Sequence, residues 1–175
     1  EGVIGCNVNE ELCTTVHNDR NIDYMTVHIW PANWQWASKD RLFEALPNVY
    51  NKTTEYLAQH DRIAFNINKP YVVEEFGYPR DNNFHGAGSP TVARDAFYAF
   101  VFSKVNESRK NGGPMAGCNF WGWGGSGRPT HETWSSVVWS AGDDFLCDPP
   151  HEPQGWYSVF DNDASTLQLI RNAFK

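Results

Sequence analysis

A repeated alternation between short apolar segments and longer segments with helical spacing constrains this chain most. Residues 22–30, 70–77 and 114–121 are rich in β-branched and aromatic side chains, which predicts strands. An apolar run at residues 1–6 counts as a first strand in the same pattern, and helical spacing in 48–66 and 165–175 predicts helices. The order β-α-β-α-β-α-β-α predicts parallel strands covered by helices.

The clearest helix signature lies between the last two predicted strands. Ser89 suits the N-cap, Pro90 the first helical position and Gly112 the residue just past the end. A shorter helix is predicted after the opening run, where Asn7 and Glu10 have capping-box spacing. A loop rich in Gly, Pro and Trp occupies about 123–164, and residues 1–175 are interpreted as a single partial domain.

Composition and spacing exclude several classes of function. The formal net charge is −7 and no segment gathers many Lys or Arg, so nucleic acid is not an expected partner. No run of about 18 apolar residues is present, which predicts no membrane span. The spacing of His, Cys and acidic residues matches no metal site, so no metal or cofactor is expected. Cys6 and Cys13 are predicted to form one local disulfide or none.

Chemistry-bearing side chains gather at the ends of the predicted strands. They are His28 and Trp30, then Glu74 and Glu75, then Trp121 and Trp123. A (β/α) barrel builds its active site at the C-terminal ends of its strands, so half of an eight-stranded barrel is favoured over a small doubly wound sheet. The abrupt apolar start favours the second half, about strands five to eight, of a longer protein.

Strand periodicity assigns the faces of the first of these strands. Met25, Val27 and Ile29 are purely apolar and are predicted to lie under helices, so His28 and Trp30 should face inward.

The same alternation makes Gly117, Asn119 and Trp121 the inner set of the last strand. It also sends Glu74 and Glu75 to opposite faces, and position on the strand does not decide which acid is the inner one. The outer acid is expected to pair with a basic group behind the barrel.

Four segments, HIWP, EEFGYPRD, CNFWGWGG and DPPHEPQGWYSVFD, together resemble the endo-β-1,4-mannanases of glycoside hydrolase family 5, in particular the bacterial ones. The likeness covers essentially all 175 residues. It implies a (β/α)8 TIM barrel and a retaining hydrolase of β-mannan or manno-oligosaccharides, with a secreted, periplasmic or cell-surface location. No cofactor is implied.

The resemblance also implies roles for individual residues. Glu75 matches the nucleophile that ends strand seven, which makes Glu74 the outer acid; His28 would help to position the site, and Trp121 would form the floor of the −1 sugar subsite. Many relatives have Tyr at the position of Trp30, whose indole N–H can donate a hydrogen bond but cannot accept one.

A retaining glycosidase needs a second carboxyl roughly 5 to 5.5 Å from the first. In the family this acid/base is the Glu of an Asn-Glu pair that ends strand four. Asn9 and Glu10 have that sequence but follow a capping pattern, so the acid/base is expected upstream of Glu1. The chain should then need the N-terminal half barrel or self-association to complete its fold and site.

Further side chains are predicted to bind substrate. Arg80 either bonds sugar hydroxyls or pairs with Asp81. Four other side chains are expected to contact sugar: Trp30, Trp34, Trp123 and Asn119. Tryptophans in predicted loops, Trp34, Trp36, Trp134 and Trp139, suit either stacking on sugar faces or packing. Two alternatives stay open: another family 5 β-1,4-glycanase, such as a cellulase, or a non-catalytic carbohydrate-binding half barrel.

Overall fold

The structure is a computed structural model that describes residues 2–130 and 139–175. In chain order its elements are α1 (Gly2–Gly5), α2 (Glu10–His17), β1 (Met25–Ile29), α3 (Leu46–Ile67), β2 (Tyr71–Phe76), a 3-10 turn (Asp81–Asn83), α4 (Val92–Asn111), β3 (Met115–Phe120), β4 (Trp123–Gly125), β5 (Val159–Phe160) and α5 (Ala164–Asn172). The predicted alternation of strands and helices is confirmed from β1 onward.

The main sheet contains β1, β2 and β3 in that order, and both pairs of neighbours are parallel. This is the arrangement of consecutive strands in a (β/α) barrel, and the described part of the chain is consistent with a half barrel. Inside the long loop, β4 and β5 form a separate two-stranded parallel sheet.

The predicted first strand at residues 1–6 is wrong, because Gly2–Gly5 form the short helix α1. The amide of Cys6 donates to the carbonyls of Gly2 and Val3, so backbone groups in this segment pair locally. Val3 is buried, and its N–H donates to Nε2 of His60 at 2.9 Å. A short apolar run fits a buried helical turn as well as a strand, and here the contact with α3 decides.

Two predicted helix starts shift by two residues. The N-cap of α2 is Asn9, whose side chain accepts from the N–H of Leu12, and not Asn7. The N-cap of α4 is Thr91 instead of Ser89. Asp81 satisfies the free amides at the start of α4. Gly112 lies just past the end of α4, as predicted, and its backbone is in the left-handed conformation.

One apolar core lies between the sheet and helices α3 and α4. Met25, Val27 and Ile29 have 0% exposure, which confirms the predicted outer face of β1. They pack in one cluster with the apolar faces of the two helices, including Leu57 and Phe97. None of the helices described in residues 2–130 and 139–175 is long and apolar enough to cross a membrane. The four cysteines form no disulfide.

A register shift interrupts the pairing of β1 with β2. Val27 pairs with Val73, but the next residue, His28, pairs with Glu75 instead of Glu74. An extra residue in one strand is a β-bulge, which breaks the alternation of side chains across the sheet. The bulge lies at the two glutamates of the EEFG motif.

Candidate active site

A cleft of about 340 Å³ opens at the C-terminal ends of the strands. Its lining combines aromatic rings with two carboxyl groups: Trp30, Asn33, Trp34, Glu75, Trp121, Pro149, Glu152 and Tyr157. Four parts of the chain contribute: the end of β2, the segment after β1, the segment after β3, and the distal part of the long loop. Aromatic walls around a few polar groups suit a carbohydrate, which presents apolar ring faces and hydroxyl edges.

His28 lies between the two glutamates of the bulge. Its Nε2 is 3.1 Å from Oε2 of Glu74, and its Nδ1 is 3.0 Å from Oε2 of Glu75. The prediction that Glu74 points behind the barrel is therefore wrong, because the bulge turns both carboxyl groups toward His28. The ring of His28 therefore contacts both carboxyl groups, and its Nε2 is within hydrogen-bond distance of Glu74.

Glycine after Phe76 allows the aromatic walls to close over the end of β2. A Cβ atom on Gly77 would lie 2.6 Å from Cζ3 of Trp30 and 2.8 Å from Cδ1 of Tyr157. The ring centroids of Trp30 and Tyr157 are 4.8 Å apart, and those of Trp30 and Trp121 are 6.2 Å apart, both edge to face. Gly77 of the EEFG motif thus allows Trp30 and Tyr157 to pack against the end of β2.

Sequence reasoning missed four residues of the cleft: Asn33, Pro149, Glu152 and Tyr157. The hydroxyl of Tyr157 donates to Oδ1 of Asn33, which ties the distal loop to the segment after β1. Burial raises the pKa of Tyr157 well above its ordinary value, so this hydroxyl remains a donor. Three of the four lie in the DPPHEPQGWYSVFD segment, where the concentration of polar and aromatic residues was the available signal.

Arg80 does not reach the cleft, so its predicted contact with sugar is wrong. Its side chain has 0% exposure and forms an ion pair with Asp163. It also donates to the carbonyls of Ser89 and Ser158, at 3.1 and 3.0 Å. Nor does Arg80 pair with Asp81, whose carboxylate caps α4. Arg80 is a structural cation that joins β2 to the distal loop.

Other predicted sugar-binding residues occupy different places. Trp123 is 57% exposed and lies outside the cleft lining. Asn119 lines a separate depression at the open edge of β3, beside Phe102 and Phe174. Trp34 lines the cleft and also packs edge to face on Trp36.

Two tryptophans of the long loop, Trp134 and Trp139, are also candidates for stacking on sugar. Trp139 stacks on the exposed Phe145, at 5.3 Å between ring centroids. Trp134 lies outside the described residues.

The Asn9-Glu10 pair lies at the start of α2, on the helical surface of the fold. Asn9 caps α2, and Oε2 of Glu10 accepts from Nε2 of Gln59 on α3 at 2.8 Å. Glu10 also lies 4.0 Å from Arg62. These contacts keep Glu10 on the helical surface and agree with its rejection as a catalytic acid.

Comparison with known proteins shows which family this chain resembles. The profile of the family described as "GH family 5 beta-mannosidase-like" matches residues 1–175. Mannan endo-1,4-beta-mannosidase 3 of Oryza sativa subsp. japonica is 30% identical over 105 residues, which are 60% of this chain and 21% of that protein. The chain therefore spans about a fifth of the length of this relative.

Solved structures agree with the family match. The glycoside hydrolase family 5 mannosidase from Rhizomucor miehei is 33% identical with a TM-score of 0.81, over 94% of this chain and 40% of that one. A form with a glutamate-to-alanine substitution, in complex with mannosyl-fructose, has a TM-score of 0.80 and 31% identity over the same shares. The endo-beta-1,4-mannanase from Thermotoga petrophila, at 18% identity and a TM-score of 0.53 over 91% of this chain and 27% of that one, supports the shared fold alone. These neighbours are (β/α)8 barrel enzymes.

Proposed function

This chain belongs to the β-mannosidase-like group of glycoside hydrolase family 5, and we propose that it is the nucleophile-bearing part of a retaining endo-β-1,4-mannanase. The observation that carries the proposal is the position of Glu75: its carboxylate lines an aromatic cleft at the strand ends and lies 3.0 Å from a histidine nitrogen. A retaining glycosidase needs a carboxylate in such a cleft to attack the anomeric carbon.

In the proposed reaction Glu75 attacks the anomeric carbon of a bound mannosyl unit, and the bond to the leaving oxygen breaks. A second carboxyl protonates that oxygen and then activates the water that hydrolyses the glycosyl-enzyme. His28 orients Glu75, and Glu74 holds His28 from the other side. Trp121 would contact the sugar ring, while Asn33 and Glu152 could bond its hydroxyls.

We propose that the acid/base lies on a segment outside these 175 residues. The chain spans only 40% of the Rhizomucor miehei mannosidase. Among the residues that the structure describes, Glu152 is the other acid that lines the cleft. That enzyme has been studied with alanine in place of glutamate at two different positions, which fits a mechanism with two carboxyl groups. Glu152 is the alternative acid within this chain.

Mannan as substrate is supported by relatives. The rice relative is a mannan endo-1,4-beta-mannosidase. A complex of the Rhizomucor miehei mannosidase contains mannosyl-fructose. A polymer of this kind does not enter cells, so the enzyme is expected to be exported.

A β-mannosidase that acts on short manno-oligosaccharides is the second candidate. The description of the matching family, beta-mannosidase-like, favours this candidate. So does the TM-score, which is 0.81 for the Rhizomucor miehei mannosidase and 0.53 for the Thermotoga petrophila endo-mannanase. An endo-acting enzyme lowers the viscosity of galactomannan early, whereas an end-acting enzyme releases mannose without that early fall.

The test is hydrolysis of soluble galactomannan, of manno-oligosaccharides and of carboxymethylcellulose, with reducing ends counted. The 175-residue chain should be inactive alone and active when the upstream part of its protein is added. Glu75→Gln should abolish the restored activity. Activity of the chain alone that Glu152→Gln removes would instead assign the acid/base to Glu152, and hydrolysis of the cellulose derivative alone would overturn mannan as the substrate.

The open edges of the sheet support the need for a partner segment. Within the described residues, β1 and β3 each pair with β2 alone. Unpaired parallel strands bind another segment or associate. In size-exclusion chromatography we expect the chain alone to elute at a size larger than a monomer. Its complex with the upstream part should elute at the size of a single complete barrel.

A further inference from the structure

A buried carboxylate holds the cleft wall that carries Tyr157. Asp148 is 7% exposed. Its Oδ2 accepts from the N–H of Gly155 at 2.7 Å and from the hydroxyl of Ser158 at 3.1 Å, and its Oδ1 accepts from the N–H of Tyr157 at 3.3 Å. Three donors of one short segment therefore converge on a single side chain.

Two buried arginines hold the same segment through its carbonyl groups. Arg94 donates to the carbonyl of Ser158 at 2.8 Å and to that of Trp156 at 3.0 Å. Arg80 donates to the carbonyl of Ser158 at 3.0 Å. Residues 155–158 are thus fixed on one side by Asp148 and on the other by the arginines of α4 and of the segment after β2.

The bonds of Asp148 also close a loop that lines the cleft. Pro149 and Glu152 lie between Asp148 and Gly155, and both line the cleft together with Tyr157. The ring of Tyr157 packs at 4.8 Å on Trp30. Any movement of the backbone at Gly155 and Tyr157 therefore displaces the polar groups that would face a sugar.

We propose that Asp148 is a positioning residue of the cleft, whose negative carboxylate fixes Tyr157 and Glu152 where mannosyl units bind. This inference rests on the proposed function, because it takes the cleft lined by Glu75 to be the sugar site. Asp148 lies under the wall and touches no sugar. Its effect on binding passes through Tyr157 and the loop 149–155.

The surroundings make the charge of Asp148 sensitive to pH. Burial raises its pKa to about 6, against the opposing effects of its three hydrogen bonds and of Arg94. Among the described residues, the other charged or titratable groups around the segment are Arg94, Arg80 and Asp163 behind Ser158, Cys147, His151 and Glu152 in the same loop, Tyr157, and His85 and Lys39 against Trp156. Burial raises the pKa of Cys147 to about 12 and lowers that of His85 to about 4.

The direction of the pH effect follows from the hydrogen bonds. A carboxylate accepts from several donors, whereas the protonated form turns one oxygen into a donor. As the pH falls through about 6, the bonds to Gly155 and Tyr157 weaken and the wall loosens. Affinity for sugar should therefore fall on the acid side of that value.

The experiment measures mannotriose binding to the chain by calorimetry, with the upstream part of the protein present, between about pH 5 and about pH 7.5. Asp148→Asn should raise the Kd about tenfold at the upper pH and remove the part of the pH dependence centred near 6. Asp144→Asn is the matched control, since Asp144 in the same loop accepts one backbone N–H, from Arg128 at 2.9 Å, outside the cleft. This control should bind like the wild type.

A double-mutant cycle tests the route of the effect. If Asp148 acts through the wall, Asp148→Asn should have a much smaller effect on Kd in a Tyr157→Phe, Glu152→Gln background than in the wild type. Equal affinity and an unchanged pH profile in folded Asp148→Asn would overturn the inference. The inference would also be overturned if Asp148→Asn raised the Kd as much in the Tyr157→Phe, Glu152→Gln background as in the wild type.

Amide hydrogen exchange separates this inference from the proposed function. The N–H groups of Gly155 and Tyr157 should lose protection in Asp148→Asn, and in the wild type below about pH 6, while β2 amides stay protected. If Asp148→Asn does not fold, the wild-type pH series decides by the same comparison. Absence of mannotriose binding by the wild-type chain with the upstream part present would sink the proposed function, and unchanged exchange at these two amides would sink the positioning role.

Discussion

Nδ1 of His28 lies 3.0 Å from Oε2 of Glu75, across neighbouring strands. The contact exists because a bulge in β2 pairs His28 with Glu75 and brings Glu74 to the other ring nitrogen at 3.1 Å. The three side chains are therefore in contact, and the position of Glu75 depends on His28 and, through it, on Glu74.

Replacing Glu74 with Gln should slow attack by Glu75 without weakening sugar binding. The amide carries no charge, so the contact that holds the ring of His28 beside Glu75 is weakened. Labelling of the protein by a 2-deoxy-2-fluoro-β-mannosyl fluoride, whose leaving group needs little acid assistance, should slow about tenfold. Intact-mass spectrometry over time measures it. Glu107→Gln, an exposed acid of α4, is the control, and equal labelling rates in both variants would contradict the role of Glu74.

Trp121 and Trp123 should differ in their effect on sugar binding. Trp121 lines the cleft, whereas Trp123 is 57% exposed and lies outside it. Trp121→Ala should raise the Kd for mannotriose about tenfold, as loss of a stacking ring does, and Trp123→Ala should change it less than about twofold. Calorimetry on both variants checks this. A larger effect at Trp123 would mean that the sugar path runs along β4.

Two aspartates of the distal segment should differ sharply in stability. Asp163 pairs with the fully buried Arg80 and lies 3.8 Å from Arg94, so Asp163→Asn leaves two buried cations without a full counter-charge. The free energy of unfolding should fall by about 3 to 5 kcal/mol. Asp161 pairs with Arg128 while both are about half exposed, so Asp161→Asn should cost less than about 1 kcal/mol. Urea denaturation compares the two, and similar midpoints would contradict the buried network.

His60 should make the fold less stable in acid. Its ring is fully buried, Nδ1 donates to the carbonyl of Tyr56 at 2.8 Å, and Nε2 accepts from Val3 at 2.9 Å, so it is neutral. Burial lowers its pKa from 6.5 to about 4. Because the unfolded chain binds this proton first, stability present above pH 6.5 is lost progressively down to about pH 4.

The expected loss from His60 is about 2 to 3 kcal/mol between about pH 7 and about pH 4.5. His85 acts in the same direction, whereas protonation of Asp148 partly offsets both. His60→Gln should be less stable at neutral pH and should have a smaller acid dependence in urea denaturation. His151→Gln, at an 82% exposed side chain, should leave that dependence unchanged. An unaltered dependence in His60→Gln would contradict the account.

Local patterns predicted the scaffold of this fold because they depend on neighbouring residues. The apolar alternation of Met25, Val27 and Ile29 identified the buried face of β1, and Gly112 marked the end of α4. The pattern failed at Glu74, since strand alternation assumes unbroken pairing and the bulge depends on the register with β1.

Part of the site was predicted because it, too, depends on local sequence patterns. Glu75 and Trp121 end apolar strands, so their place in the cleft was visible in the sequence. Arg80 and Asp163 are 83 residues apart, and nothing local shows that they pair. Tyr157 and Glu152 reach the cleft through a loop whose path depends on Asp148 and two arginines rather than on its own propensity.

Identification of the residue that carries the sugar tests the central claim most directly. After reaction with the 2-deoxy-2-fluoro-β-mannosyl fluoride, with the upstream part of the protein present, peptide mass spectrometry should locate one mannosyl adduct on Glu75. Glu75→Gln should carry none, and Glu74→Gln should still be labelled at Glu75. An adduct on Glu74 or Glu152, or labelling that survives Glu75→Gln, would contradict the assignment of the nucleophile.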